Sequence, residues 1–189
     1  MEEIEDAYIT YTKTGNEQLI FLQCASIYPS SPELINLKSM ETIAKSFNVI
    51  TGLSDHTLGI HIAVAAVAMG AKVIEKHFTL SRKLKGPDHP FAIEPNELKE
   101  MVKQIRDVEK AYGDGKKLGP KLEEMEQYEK ARRSIHAKVN IPKGTKITKD
   151  MLIIKRPGYG IKPKFFNIII GREAKQDIAE DQWITWEMI

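Results

Sequence analysis

The stretch Gly52–Phe78, "GLSDHTLGIHIAVAAVAMGAKVIEKHF", decides the fold because it joins the end of one strand to a second strand through a helix. The apolar run Asn48–Leu53 leads into it as a strand candidate. Thr57–Met69 then has a helical pattern that ends at Gly70, its C′ residue. Ala71–Phe78 is again apolar and of strand length. Buried strands joined by a helical crossover lie parallel, so this stretch predicts an α/β fold.

The flanking sequence repeats the same alternation. Leu19–Ala25 reads as a buried strand, and Ser31-Pro32-Glu33 offers an N-cap, a first-turn proline and an acid for a helix over residues 32–46. An amphipathic pattern over Glu94–Tyr112 predicts a long helix. Three βα units fit either part of a (β/α)₈ barrel or a doubly wound sheet. No glycine-rich phosphate-binding motif follows a strand, which disfavours the nucleotide-binding forms.

Composition excludes several classes of protein. The 189-residue chain has a formal charge of +2, too small to indicate nucleic-acid or membrane binding. Its single cysteine, Cys24, excludes an intrachain disulfide. The longest apolar run is too short to span a bilayer, and the acidic N-terminus lacks the features of a signal peptide. These features predict a cytoplasmic protein.

The texture of the sequence changes in its last third, which predicts a second domain. From about Ser134 short apolar runs alternate with Pro-Gly turns, the pattern of a small, loop-rich β module. We therefore divide the chain into an α/β domain over residues 1–112, a linker with a helical piece over 113–131, and a β-rich domain over 132–189.

Two histidines mark the candidate site. His56 follows the second predicted strand and His77 ends the third, so the carboxyl ends of neighbouring strands bring them together. Two neutral imidazoles suit a transition-metal ion such as Zn²⁺, Mn²⁺, Fe²⁺ or Co²⁺. Glu75 faces the same side of its strand as His77, as ligand or orienter, and Asp88 lies in the loop that follows. From spacing alone, a role as polar turn residues explains the histidines equally well.

Other polar residues near the strand ends carry weaker signals. Ser26 and Tyr28 follow the first strand and would line the same mouth, although ordinary strand-end polarity also accounts for them. The adjacent Ser54, Asp55 and His56 do not form a catalytic triad, because successive residues on an extended chain point to opposite sides.

The sequence predicts no catalytic or metal-binding role for the remaining histidines or for Lys76. Lys76 flanks His77 and is expected to point outward as a surface lysine rather than form a Schiff base. His61 faces a helix and suits a structural role, and the spacing names no partner for His89 or His136.

Four motifs in order, "GLSDHTLG", "GAKVIEKHFTL", "GPDH" and "KRPGYGI", together with "CASIYPSSPE", resemble the sialic acid synthase family. Residues 134–189 resemble the antifreeze-like (SAF) domain of these enzymes. The resemblance implies the C-terminal part of a TIM barrel, about three βα units, followed by the SAF domain. It also implies condensation of phosphoenolpyruvate with an N-acetylated amino sugar such as N-acetylmannosamine, releasing phosphate.

The resemblance also assigns roles to residues. It implies that His56 and His77 bind a divalent metal, Mn²⁺ by preference with Mg²⁺ or Co²⁺ as alternatives, which polarises the sugar aldehyde. Tyr28 and Asp88 match catalytic and sugar-binding positions, and Ser26 and Ser54 match positions beside phosphoenolpyruvate. Arg156 matches an arginine that the SAF domain lends to the partner subunit's site in a domain-swapped homodimer.

The resemblance places this chain at the end of such an enzyme. A whole barrel needs roughly 250 residues, whereas about 112 precede the linker here. We therefore expect a fragment that is inactive alone and that exposes open sheet edges. Ser81 also stands where many relatives have an acid. The alternative is a non-catalytic carbohydrate-binding or assembly module built on the SAF domain.

Overall fold

Three parallel strands form the sheet of the N-terminal unit, Met1–Lys116. The computed structural model describes residues 1–189. The strands are β1 (Ile20–Cys24), β2 (Ile50–Asp55) and β3 (Ile74–Lys76), in that spatial order. The helices of this unit are α1 (Glu2–Thr12), α2 (Lys38–Phe47), α3 (His61–Ala68) and α4 (Pro95–Ala111). The expected α/β class and the three parallel strands are confirmed.

The middle strand forms the centre of this unit because both of its edges are paired. Thr51 to Asp55 are all buried, and Leu53 is fully enclosed. The outer strands β1 and β3 are each bonded on one side only, so the sheet keeps two open edges, as the sequence predicted. The apolar side chains that pack against the sheet and between α3 and α4 are Ile35, Met40, Ala63, Ala66, Ala71, Ile93 and Met101.

Two helix predictions need correction. The single helix over residues 32–46 is wrong: a 3₁₀ helix, Pro32–Leu34, is separated from α2 by Asn36, which has a φ of 47°. Asparagine tolerates this left-handed conformation, which interrupts a right-handed helix. The helix predicted from Thr57 begins only at His61, because Thr57 bridges to Ser30. Gly70 does follow the helix with a φ of 104°, as expected for a C′ glycine.

The sequence did not predict helix α1, and it predicted a longer β3 than the structure contains. No apolar stripe in α1 is buried, so periodicity gave no signal for it. The strand expected over Ala71–Phe78 contains only Ile74–Lys76. Ala71 still belongs to the turn after α3, where it donates to the carbonyl of Ala66, while Lys72 already donates to the carbonyl of Thr51 in β2.

The C-terminal unit, Lys117–Ile189, contains the antiparallel pair β4 (Ser134–Ala137) and β5 (Leu152–Lys155). Its helices are α5 (Met125–Ala131) and α6 (Phe166–Ile169). Short 3₁₀ helices cover Leu122–Glu124, Lys149–Met151, Pro163–Phe165 and Trp186–Met188. The other apolar runs contribute only isolated bridges, such as Ile141 with Ile178. Isoleucines dominate a core of Ile135, Ala137, Ile141, Ile147, Leu152, Ile161, Ile169, Ala174, Ile178, Ile184 and Ile189.

No helix in the structure has the length and apolar character needed to cross a membrane.

A buried ion pair fixes the ends of β2 and β3. Lys76 Nζ lies 2.8 Å from Asp55 Oδ2 and 2.7 Å from the carbonyl of Thr57, and both side chains of the pair are at most 4% exposed. Asp55 Oδ1 accepts from the backbone N–H and the hydroxyl of Thr57. Lys76 does lie on the face opposite Glu75 and His77, but the prediction of a surface lysine is wrong because this face is covered.

Replacing Lys76 by methionine should lower the free energy of unfolding of the N-terminal unit. The change leaves the Asp55 carboxylate buried without a counter-charge, which typically costs about 3–5 kcal/mol. Urea denaturation followed by far-UV circular dichroism measures the loss, and the Asp55→Asn, Lys76→Met double variant should recover part of it. Trp183 and Trp186 both lie in the C-terminal unit, so their fluorescence transition serves as an internal control. A loss below about 1 kcal/mol for Lys76→Met would contradict a structural role for the pair.

Candidate functional site

The carboxyl ends of β2 and β3 bring His56 and His77 together. Their ring centroids are 5.4 Å apart, and Tyr28 lies against both, 4.1 Å from His56 and 5.6 Å from His77. With Ser54 and Glu75 the histidines line an open cleft of about 250 Å³. The parallel register explains this proximity, because Asp55 is paired with Lys76 and each histidine is the next residue of its chain segment.

His56 is oriented with one ring nitrogen free of backbone contacts. Its Nδ1 lies 2.8 Å from the carbonyl oxygen of Ala25, which can only accept, so the proton is on Nδ1. In the neutral ring Nε2 then carries the lone pair, and it lies 3.4 Å from Ser54 Oγ, too far for a strong hydrogen bond. Metal-binding histidines are commonly held in this way, with the other ring nitrogen donating to a carbonyl.

Ser54 and Glu75 form a second polar pair across the same two strands. They are direct register partners, and the Ser54 hydroxyl donates to Glu75 Oε1 at 2.6 Å. In this structure Glu75 therefore orients Ser54. Because Asp55 is bonded to Lys76 and Thr57, it does not contact His56, and no Ser-His-Asp relay exists.

The loop after β3 supplies two further residues. Asp88 Oδ2 lies 3.7 Å from His77 Nδ1, and Asp88 is exposed. The ring of Phe91 lies 5.1 Å from that of His77 and 5.9 Å from that of Tyr28, so it packs beside both rings. The sequence reasoning missed Phe91, although an aromatic residue in the otherwise polar segment "GPDHPF" was an available signal.

This loop is fastened to the start of α4. The Arg82 guanidinium bonds to Glu97 and to the carbonyl of Ala92, and Glu94 and Glu97 form a capping box. The hydrogen bond from Arg82, followed by that from the Glu94 backbone, lowers the pKa of the Glu97 carboxyl. These contacts hold both ends of the loop that carries Asp88 and Phe91.

Two of the predicted residues are not joined to this cluster. Ser26 is exposed after β1 and makes no hydrogen bond to the other candidates. Arg156 follows β5 in the C-terminal unit and is exposed. Cys24 was not predicted as a site residue, but its Sγ lies 3.8 Å from His56 Nδ1.

The side chains of the cleft could supply some, but not all, of the ligands of a metal ion. Two imidazoles that share one ion at about 2.1 Å from each nitrogen have ring centres about 5 Å apart, close to the observed separation. No group of three or more His, Cys, Asp or Glu side chains in the chain forms a ligand set. A metal ion in this cleft could therefore take at most two ligands from such side chains.

Comparison with known proteins identifies the family. The NeuB family model matches residues 1–117, and the SAF domain model matches residues 132–189. An uncharacterized protein of Methanocaldococcus jannaschii is 46% identical, with 98% of this chain and 55% of that protein covered. The N,N'-diacetyllegionaminic acid synthase of Legionella pneumophila is 41% identical, with 95% of this chain and 50% of that protein covered.

A solved structure gives the same result. The spore coat polysaccharide biosynthesis protein SpsE of Bacillus subtilis superposes with a TM-score of 0.57 at 35% identity, covering 100% of this chain and 58% of that one. The chain spans about half the length of the curated relatives it matches. The resemblance inferred from the four motifs is confirmed, and the chain belongs to the NeuB family of sialic acid synthases and carries a SAF domain.

Proposed function

We propose that this chain supplies the His56–His77 part of a nonulosonic acid synthase site, within an enzyme that condenses phosphoenolpyruvate with an N-acetylated amino sugar. The observation that carries the proposal is the pair of imidazoles in one cleft, 5.4 Å apart between ring centroids, with Tyr28 against both. The family membership supports the reaction class, since a relative is named as a legionaminic acid synthase. In this proposal the three strands are the last part of a TIM barrel.

The bonds that change define what the site must do. C3 of phosphoenolpyruvate bonds to the aldehyde carbon of the sugar, water adds at C2, and phosphate leaves. A divalent metal, Mn²⁺ by preference, would be held by His56 and His77 and would polarise the aldehyde oxygen. The two rings line one cleft at a separation that suits two ligands of one ion, which supports this role.

The protein side chains then position the two substrates. Tyr28 and Asp88, on the two loops that flank the histidines, are proposed to bind the sugar and to manage proton transfer at its hydroxyl groups. Ser54, oriented by Glu75, and Ser26 are proposed to bind phosphoenolpyruvate. Phe91 and Tyr28 are proposed to pack against the bound sugar from the side of the histidine rings.

Arg156 is proposed to bind the sugar from the SAF domain of the partner subunit, in a domain-swapped homodimer. Its guanidinium offers five donors in a fixed planar arrangement, which suits sugar hydroxyls and an N-acetyl carbonyl. The chain alone is proposed to be inactive, because the family's full-length members have about twice its length.

Metal binding tests the two histidines directly. In the 189-residue chain, His56→Ala and His77→Ala should each weaken Mn²⁺ binding at least about tenfold, because each removes a ligand. The loss of the free Mn²⁺ signal in electron paramagnetic resonance measures binding without any need for turnover. His61→Ala is the matched control, since His61 is exposed on α3. Equal Mn²⁺ binding by all four proteins would remove the metal assignment.

Turnover tests the reaction. The purified chain with phosphoenolpyruvate, N-acetylmannosamine and Mn²⁺ should release no phosphate above background. Addition of the N-terminal barrel portion of a relative, such as that of Bacillus subtilis SpsE, should restore phosphate release. Phosphate release by the chain alone would contradict the proposed incompleteness, and no release in any combination with several N-acetylated sugars would favour the non-catalytic module.

Arg156→Ala tests the contribution of the SAF domain in the assembly that turns over. Loss of a charged hydrogen-bond donor should raise the KM for the sugar at least about tenfold while the KM for phosphoenolpyruvate changes little. Arg133→Ala, an exposed arginine of the same unit, is the control and should change neither constant. Equal effects of Arg156→Ala on both substrates would count against a sugar-binding role.

A further inference from the structure

His136 is a buried histidine whose two ring nitrogens both face carbonyl oxygens. It lies in β4 and is 1% exposed. Its Nδ1 is 3.0 Å from the carbonyl oxygen of Asp181, and its Nε2 is 3.2 Å from that of Pro157. A carbonyl oxygen can only accept and a neutral ring has one N–H, so the groups around the ring decide which nitrogen carries the proton.

The carbonyl of Pro157 is held by two side chains. The Ser134 hydroxyl donates to it at 2.6 Å, and Ser134 Oγ also lies 3.1 Å from His136 Nε2. A hydroxyl has one proton, so once Ser134 donates to Pro157 its oxygen can only accept from His136. Both the carbonyl and the hydroxyl oxygen are therefore satisfied when Nε2 carries a proton.

Pro157 begins the turn that follows Arg156. After Pro157 this turn is held by backbone hydrogen bonds. The N–H of Gly158 donates to the carbonyl oxygen of Glu129 at 3.0 Å, and the N–H of Ile161 donates to the carbonyl oxygen of Ile184 at 2.7 Å. A Cβ on Gly158 would lie 2.8 Å from that of Arg132, so the turn is also tightly packed there. Arg156 itself lies between Lys155, which pairs with Ser134 in the β4–β5 ladder, and Pro157, whose carbonyl is contacted by the side chains of Ser134 and His136.

We propose that His136 is a positioning residue for Arg156, because its Nε2–H holds the carbonyl of Pro157 and so sets the direction in which Arg156 leaves β5. The inference rests on the proposed function, in which Arg156 binds the sugar of the partner subunit's site. His136 does not touch the substrate. It acts through the backbone of the residue that follows Arg156.

The position of the ring proton tests this without any variant. In the 189-residue chain labelled with ¹⁵N, the imidazole nitrogens distinguish a protonated nitrogen from one with a lone pair. We expect Nε2 of His136 to carry a proton in the folded chain. A lone pair at Nε2 would overturn the proposal, because a carbonyl oxygen cannot donate.

Two substitutions separate the two contacts of the ring. The amide of glutamine extends about as far as Nε2 and can still donate to Pro157, whereas that of asparagine extends about as far as Nδ1 and can donate only to Asp181. His136→Asn should therefore speed hydrogen exchange of the Gly158 amide about tenfold, and His136→Gln should restore most of the protection. Equal exchange in wild type and His136→Asn, or equal loss in both variants, would overturn the positioning role.

Kinetics in the assembly that turns over provide the functional outcome. His136→Asn should raise the KM for the sugar about tenfold with the KM for phosphoenolpyruvate unchanged, and His136→Gln should remain near wild type. An equal change in both constants for His136→Asn would indicate general damage and contradict the proposal. If wild type shows no turnover, the proposed function fails, while the ring proton and the Gly158 exchange still decide the role of His136.

Discussion

The buried ion pair between Asp55 and Lys76 is the interaction on which the arrangement of the site depends. Moving these charges out of water is costly, so the pair is stable only if nearly every polar atom is bonded. The structure meets this condition, since Lys76 also donates to the carbonyl of Thr57 and the carboxylate accepts twice from Thr57. A shift of β3 by one residue would leave both charges buried without partners, which fixes the register of β2 and β3.

That register distributes structure and chemistry to opposite faces of the same two strands. Asp55 and Lys76 pair on the covered face, whereas Ser54 and Glu75, the preceding register pair, bond on the cleft face. The alternation of a strand therefore allows adjacent residues to do different work. His56 and His77 continue the cleft face beyond the strand ends, where their rings come within contact of Tyr28.

Sequence patterns predicted the elements whose apolar positions are regular, and failed where single side-chain contacts decide the structure. The three parallel strands followed from runs of apolar residues and the long helix α4 from an amphipathic pattern. The meeting of the two histidines followed from their positions at the ends of neighbouring strands. The break at Asn36 did not, because a positive φ at asparagine is a local choice that periodicity does not record. The burial of Lys76 was missed because a lysine reads as solvated until its partner is known. Phe91 was missed because only the folded loop brings its ring to His77.

The histidines of this chain show how hydrogen bonding separates structural from functional roles. Both ring nitrogens of His136 face carbonyl oxygens inside the unit, so neither is open to a ligand and the residue can only hold the chain in place. His56 has Nδ1 engaged by the carbonyl of Ala25, which leaves Nε2 oriented toward the cleft with a free electron pair. A buried imidazole that is fixed through one nitrogen and open at the other is prepared to bind a ligand. This contrast in bonding, which residue spacing alone does not reveal, is the physical basis of two proposals: that His56 binds the metal and that His136 supports Arg156.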